Sequence, residues 1–181
     1  MLRISCCPQV GNIANPQNMT SLGNLKQRGF EGFVTISQLK SNLSQIPLEQ
    51  GVYVIVYPST KPVQFMETGT GGHFKDKDPN VPIAELEANW VSDTDILYIG
   101  KAGGSSSNAT LQSRLTQYLK FGIGKKIGHW GGRFIWQIKD SDQLIVCWKQ
   151  TEREAREVES EMIEQFKQEH DGKRPFANLA D

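Results

Sequence analysis

The stretch Gly51-Val-Tyr53-Val-Ile-Val-Tyr57 is dense in β-branched and aromatic residues, and Asp95-Ile-Leu-Tyr98-Ile-Gly100-Lys101 repeats that character downstream. Both read as strands, and Pro58 ends the first. Between them, Thr60 to Asn80 is rich in Gly, Pro, Lys and Asp and reads as a long loop. Ile83 to Trp90 (IAELEANW) fits a short helix within this insertion. Upstream, Val34 to Asn42 suggests a strand turning into a short helix, with Ser37 as a cap. Residues 1–20 read as an irregular polar arm. Downstream, Gly103 to Asn108 is a flexible turn, and Thr110 caps a helix reaching Phe121. Arg133 to Ile138 (RFIWQI) and Leu144 to Trp148 (LIVCW) read as strands joined by a turn at 140–143. The longest helix is predicted from Glu152 to Glu169, closed by Asp171-Gly172 and barred from continuing by Pro175. Strands and helices mix without a βαβ rhythm, which points to an α+β fold.

The chain has 181 residues, enough to bury a core without disulfides or structural metal. No apolar run approaches a membrane span, and the N-terminus lacks a signal-peptide core, so a cytoplasmic, non-membrane protein is expected. Cys6, Cys7 and Cys147 are odd in number and read as reduced, with neither a disulfide framework nor a zinc site. Twenty basic side chains balance twenty acidic ones. The zero conceals a segregation. From Ile96 to Lys139 there are seven basic residues and no acid: Lys101, Arg114, Lys120, Lys125, Lys126, Arg133 and Lys139. Residues 151–181 carry nine acids against five bases. The basic stretch calls for a polyanion such as a phosphate backbone, or for the acidic C-terminal helix.

On the last helix, Ala155, Val158, Met162, Ile163 and Phe166 form one apolar stripe, and most acids lie opposite. Glu159 interrupts the stripe, one turn after Ala155 and one turn before Ile163. A carboxylate placed there is costly unless it is paired, as with a nearby Arg, hydrogen-bonded or bound to a metal. On the helix after Thr110, Leu111, Leu115 and Leu119 form the core stripe. Arg114 and Tyr118, four residues apart, share its flank. They either pack as a cation–π pair or present a guanidinium and a phenol to one phosphate.

Taken in order, these residues resemble the GIY-YIG nuclease superfamily. Gly51-Val-Tyr53 and Tyr98-Ile-Gly100-Lys101 match the two halves of its signature, and Arg114 with Tyr118 match its helix-borne pair. Glu159 matches its single metal-binding Glu, and Asn178 in Phe176-Ala-Asn178 matches the closing Asn. The resemblance covers residues 51–181. It implies a small, mostly antiparallel sheet flanked by helices; residues 1–50 are read as an N-terminal extension packed on that core, and about 58–95 as a long insertion into it. It also implies an endonuclease hydrolysing phosphodiester bonds in DNA, double-stranded by expectation, with one Mg²⁺ or Mn²⁺ ion at Glu159. Tyr53 would then be the general base, made acidic by Lys101. Tyr98 and Tyr118 would orient water or phosphate, and Arg114 would neutralise developing charge. His129 matches a catalytic-site histidine of some members, or is a loop histidine. Lys120, Lys125, Lys126 and Arg133 would meet the nucleic-acid backbone.

Three features depart from the pattern: the long Val54–Leu97 segment, the lengthened turn after Lys101, and the stretched interval from Glu159 to Asn178. The Gly69-to-Phe74 piece lacks the Lys-Ser/Thr of a P-loop and is no nucleotide site. Restriction-type relatives carry insertions that grip DNA, and cutting both strands with one site per chain would require a homodimer. The alternative is a nucleic-acid-binding module on a nuclease scaffold that does not cut.

Overall fold

The computed structural model describes residues 21–58, 61–105 and 107–179. The expected arm at 1–20, with Cys6 and Cys7, lies outside them. The chain runs α1 (Leu22–Gln27), β1 (Glu31–Thr35), α2 (Ile36–Ser41), β2 (Gly51–Val56), α3 (Ile83–Asn89) and β3 (Ile96–Ala102). It continues with α4 (Leu111–Gly122), β4 (Ile145–Gln150) and α5 (Ala155–Glu169). Four strands form one antiparallel sheet in the order β1-β4-β2-β3, flanked by five helices, so the architecture is α+β. Residues 31–41 contribute an edge strand and a helix to this same sheet and core.

Strand alternation divides the core into two layers. Tyr53, Ile55, Tyr98, Val146 and Trp148 pack on one side with α2, α4 and residues 133–138. Val52, Val54, Val56, Ile99 and Cys147 pack on the other with α1 and α5. β2 is central and wholly buried, which explains its unbroken apolar run. In the register, Tyr53 sits opposite Gly100 on β3 and Trp148 on β4.

Thr110 caps α4 in a reciprocal box with Ser113. The cap of α2 is Thr35, in a box with Gln38, and not Ser37. Asp171 and Gly172 both take positive φ at the end of α5 (52° and 78°). Arg133–Gln137 forms a short 3-10 helix rather than the expected strand, and Ser141–Gln143 another in place of a hairpin turn. The backbone of this segment is committed to the insertion, leaving it no sheet to join. Met66 N–H donates to Gln137 O and Thr70 N–H to Trp136 O (2.8 and 3.0 Å). The buried Gln137 amide donates to the carbonyls of Met66 and Val81 and accepts from Val81 N–H. The insertion is thus bolted to the layer beneath α4.

The outer edge of β3 is closed by the C-terminal tail. Ala177 N–H donates to Leu97 O (2.8 Å). The Asn178 amide accepts from Ile99 N–H (2.9 Å) and donates to Ile99 O (2.8 Å). Cys147 is buried and free, its thiol pushed well above the ordinary range by burial. Among the described residues, no helix is long and apolar enough to cross a membrane.

Candidate active site

Beyond Ile99, the closed part of β3 gives way to Lys101 and Ala102 at the open end of the strand. A cleft of about 270 Å³ opens there, lined by Tyr98 and Lys101 of β3, Gly103, Ser107 and Ala109 of the following turn, Arg114 of α4 and Glu159 of α5. α4 and α5 lie on opposite faces of the sheet, and the cleft forms where both overhang its edge. Consecutive positions of β3 therefore serve both sides.

Glu159 is half-buried and forms no hydrogen bond or ion pair among the described residues. Burial raises its carboxyl above the ordinary value; Lys101, then Arg114, then Arg156 pull it back down. Three cations thus act on this charge from a distance, and none contacts it. The alternative partner for the basic stretch, the acidic helix, forms no ion pair with it among the described residues. On α5, Glu157 and Glu161 pair with Arg153, and Glu164 pairs with Lys167. None of the seven basic residues between 96 and 139 forms an ion pair with a described carboxylate.

Behind the cleft lies a layer of phenols. Tyr98 stacks on Tyr118 with centroids 6.1 Å apart, and Tyr53 lies 6.0 Å from Tyr98 and 6.4 Å from Tyr118. Tyr53 and Tyr118 are fully buried, whereas Tyr98 reaches the cleft. Burial, then the neighbouring Tyr98, push Tyr53 well above 10, and its hydroxyl has no hydrogen-bond partner in good geometry. Tyr98 is pushed up to about 12, by burial first and the Glu159 charge second. Tyr118 is raised by burial and by Tyr98. The cation that lowers both Tyr53 and Tyr98 is Arg114, not the expected Lys101. Alternation explains the exchange: Gly100 is the residue across from Tyr53, so Lys101 projects to the opposite face, toward α5.

Gly100 is required by this layer. A Cβ there would lie 2.6 Å from Tyr53 Oη and 2.9 Å from the Tyr98 ring. The glycine is what lets the Tyr53 ring lie across β3.

His129 is fully buried against the Tyr118 ring (4.8 Å), does not line the cleft, and has no partner among the described residues for either ring nitrogen. Burial and Arg114 hold it down to about 3, so it is neutral at ordinary pH. It supports the phenol layer from behind. Lys120, Lys125 and Lys126 are exposed beyond the cleft, at the end of α4 and in the loop after it.

A second cleft, of about 260 Å³, adjoins the first across Tyr98 and Glu159. Its other walls are Trp130, Gly131, Arg133, Ile163, Asn178 and Leu179. Asn178 has its amide committed to Ile99 and acts as a clasp on β3. Trp130 and Arg156 are the neighbours that sequence reasoning missed. Their signals were the aromatic three residues before Arg133 and the base three residues before Glu159.

The chain matches no protein-family profile, no curated protein and no solved structure.

Proposed function

We propose that this protein is a metal-dependent endonuclease that hydrolyses phosphodiester bonds in DNA. The observation that carries the reading is the unpaired Glu159 carboxylate set across a cleft from Arg114 and Lys101. A carboxylate left unpaired beside three cations has room for a ligand between them. The resemblance of the Tyr53, Tyr98, Arg114 and Glu159 constellation to GIY-YIG nucleases supports the same reading. So do the seven unpaired cations from 96 to 139, which suit a phosphate backbone.

Glu159 suits one hydrated magnesium or manganese ion, which is commonly held by one or two carboxylates and completes its shell with water and substrate phosphate. Among the described residues no group of three metal-ligating side chains occurs, so a closed protein cage is not the arrangement proposed. The ion would polarise the scissile phosphate and support the leaving oxygen. Arg114 donates to the phosphoryl oxygens as charge develops there. Lys101 keeps Glu159 ionised and attracts the strand. Tyr98, the neutral phenol at the cleft, accepts a hydrogen bond from the attacking water and so orients it; as the new P–O bond forms the water's proton passes to solvent in the open cleft, and the leaving oxygen takes one up from solvent. Tyr53, sealed behind Tyr98, does not line the cleft.

A second reading has one observation in its favour: the Tyr53 phenol assigned as general base is sealed from solvent and held well above 10. That suits a module that binds nucleic acid without cutting it. The two readings separate in one assay of purified protein with Mg²⁺ or Mn²⁺ on duplex, single-stranded and branched DNA. The nuclease reading expects nicks or breaks that Glu159→Gln abolishes. The binding reading expects salt-dependent retention, no product, and no effect of Glu159→Gln. Restriction-type specificity and a homodimer that cuts both strands are the finer proposals. Defined cleavage ends and sedimentation on DNA would test them.

A further inference from the structure

The second cleft contains a cation in an unusual setting. The Arg133 guanidinium lies 4.8 Å from the centre of the Trp130 ring and 4.9 Å from that of Phe134. Its Nε is buried with no hydrogen-bond partner, and no described carboxylate forms an ion pair with it. Glu85 is the acid that acts on it, from a distance. Two aromatic rings lie against the group and restrict its rotamer freedom, which favours a pre-set fork suited to a phosphate. The loop that carries it is registered on the site. Gly132 takes φ 74°, where a Cβ would lie 3.3 Å from the Tyr98 and Tyr118 rings, and a Cβ on Gly131 would lie 3.1 Å from Tyr98 Oη. Arg133 is thereby held in a cleft that shares Tyr98 and Glu159 with the first one.

We propose that Arg133, packed against Trp130 and Phe134, is an anchor for the phosphate adjoining the scissile one. Arg114 serves the scissile phosphate, and the two guanidiniums flank Glu159 and set the register of the strand. This rests on the nuclease reading for the identity of the scissile phosphate, but the phosphate contact itself does not.

The test uses Arg133→Met, which keeps the packed stem, and Arg133→Lys, which keeps the charge without the fork. Circular dichroism and melting establish that both fold. Duplex DNA binding is measured against salt in the uncleaving Glu159→Gln background. Arg133→Met is expected to weaken binding about tenfold or more and to lower the slope of log K against log salt by about one. Arg133→Lys should restore the slope and only part of the affinity. Unchanged affinity and slope in a folded Arg133→Met protein overturn the anchor, as a purely structural role would leave the slope in place.

In the cutting enzyme, Arg133→Met should raise KM with kcat nearly unchanged, the pattern of uniform binding. A neutral methylphosphonate beside the cleavage point should penalise wild type and not Arg133→Met. Loss of kcat alone would move Arg133 to the scissile phosphate and overturn the assignment. Wild-type protein that cuts nothing overturns the nuclease reading instead, and the salt slope still decides the phosphate contact.

Discussion

Glu159 carries a charge that its surroundings disfavour. Its folded-state carboxyl is raised by burial, so the folded protein holds that proton more tightly than the unfolded chain does. The associated stability is complete at low pH and is lost as pH rises through the folded-state value. At neutral pH the ionised carboxylate is therefore a net cost. Glu159→Gln should raise the melting temperature by ~2–4 °C, about 1 kcal/mol for a chain of this size. The same change should cut cleavage by about a thousandfold, because a bound ion supplies several kcal/mol of charge stabilisation. A variant that is stabilised and still cuts would remove Glu159 from the metal site. Lys101 is the strongest influence pulling Glu159 back down. Lys101→Met should move the acidic limb of the pH–rate profile upward; a limb that stays in place would show that Lys101 acts only on DNA.

At the scale of elements, β3 decides the site. One of its edges pairs with β2, and the Asn178 amide and Ala177 N–H cover the other as far as Ile99. Asn178→Leu leaves the Ile99 N–H and C=O without partners and should cost about 2–4 kcal/mol, read from urea unfolding. Hydrogen exchange at the Ile99 amide should accelerate in step. Gly100→Ala forces a methyl group into the Tyr53 and Tyr98 rings and should cost about 1–3 kcal/mol. A near-neutral Gly100→Ala would mean that the phenol layer is loosely packed.

Much at this scale was legible from local pattern. β2, β3, α4 and α5 follow from β-branched runs, the Thr110 cap and the Ala155-to-Phe166 stripe, all set within a few residues. The 133–138 segment was not legible. RFIWQI has strand composition, yet its backbone bonds go to Met66 and Thr70, about seventy residues earlier. No local signal encodes a partner so remote.

Across the whole molecule, the separation of charge is preserved in three dimensions. Glu157, Glu161 and Glu164 of α5 pair with Arg153 and Lys167 close by in the chain, and none of the cations of 96–139 forms an ion pair with a described carboxylate. Nucleic-acid binding should therefore weaken steeply with salt despite a formal net charge of zero. His129 sets an acid limit on the fold. Its folded-state value is depressed from 6.5 to about 3, so the stability it contributes is present above 6.5 and is lost as pH falls toward 3. Melting temperature should drop across that window, and His129→Leu, of similar size, should flatten the drop.

The sequence by itself determined the strand pair of Tyr53 and Tyr98, the capped helix of Arg114 and the misplaced carboxylate of Glu159, because each is written in spacing and alternation within one element. Only the tertiary structure decided which of these meet. It brought Tyr98, Lys101, Arg114 and Glu159 to one cleft, buried Tyr53 and His129 behind it, and made Arg114 rather than Lys101 the cation of the phenols. It also packed the Arg133 guanidinium against two rings in a cleft shared with Glu159. The reason is geometric: a side chain's face is fixed by its own strand or helix, but its neighbours are fixed by how separate elements overhang the edge of one sheet.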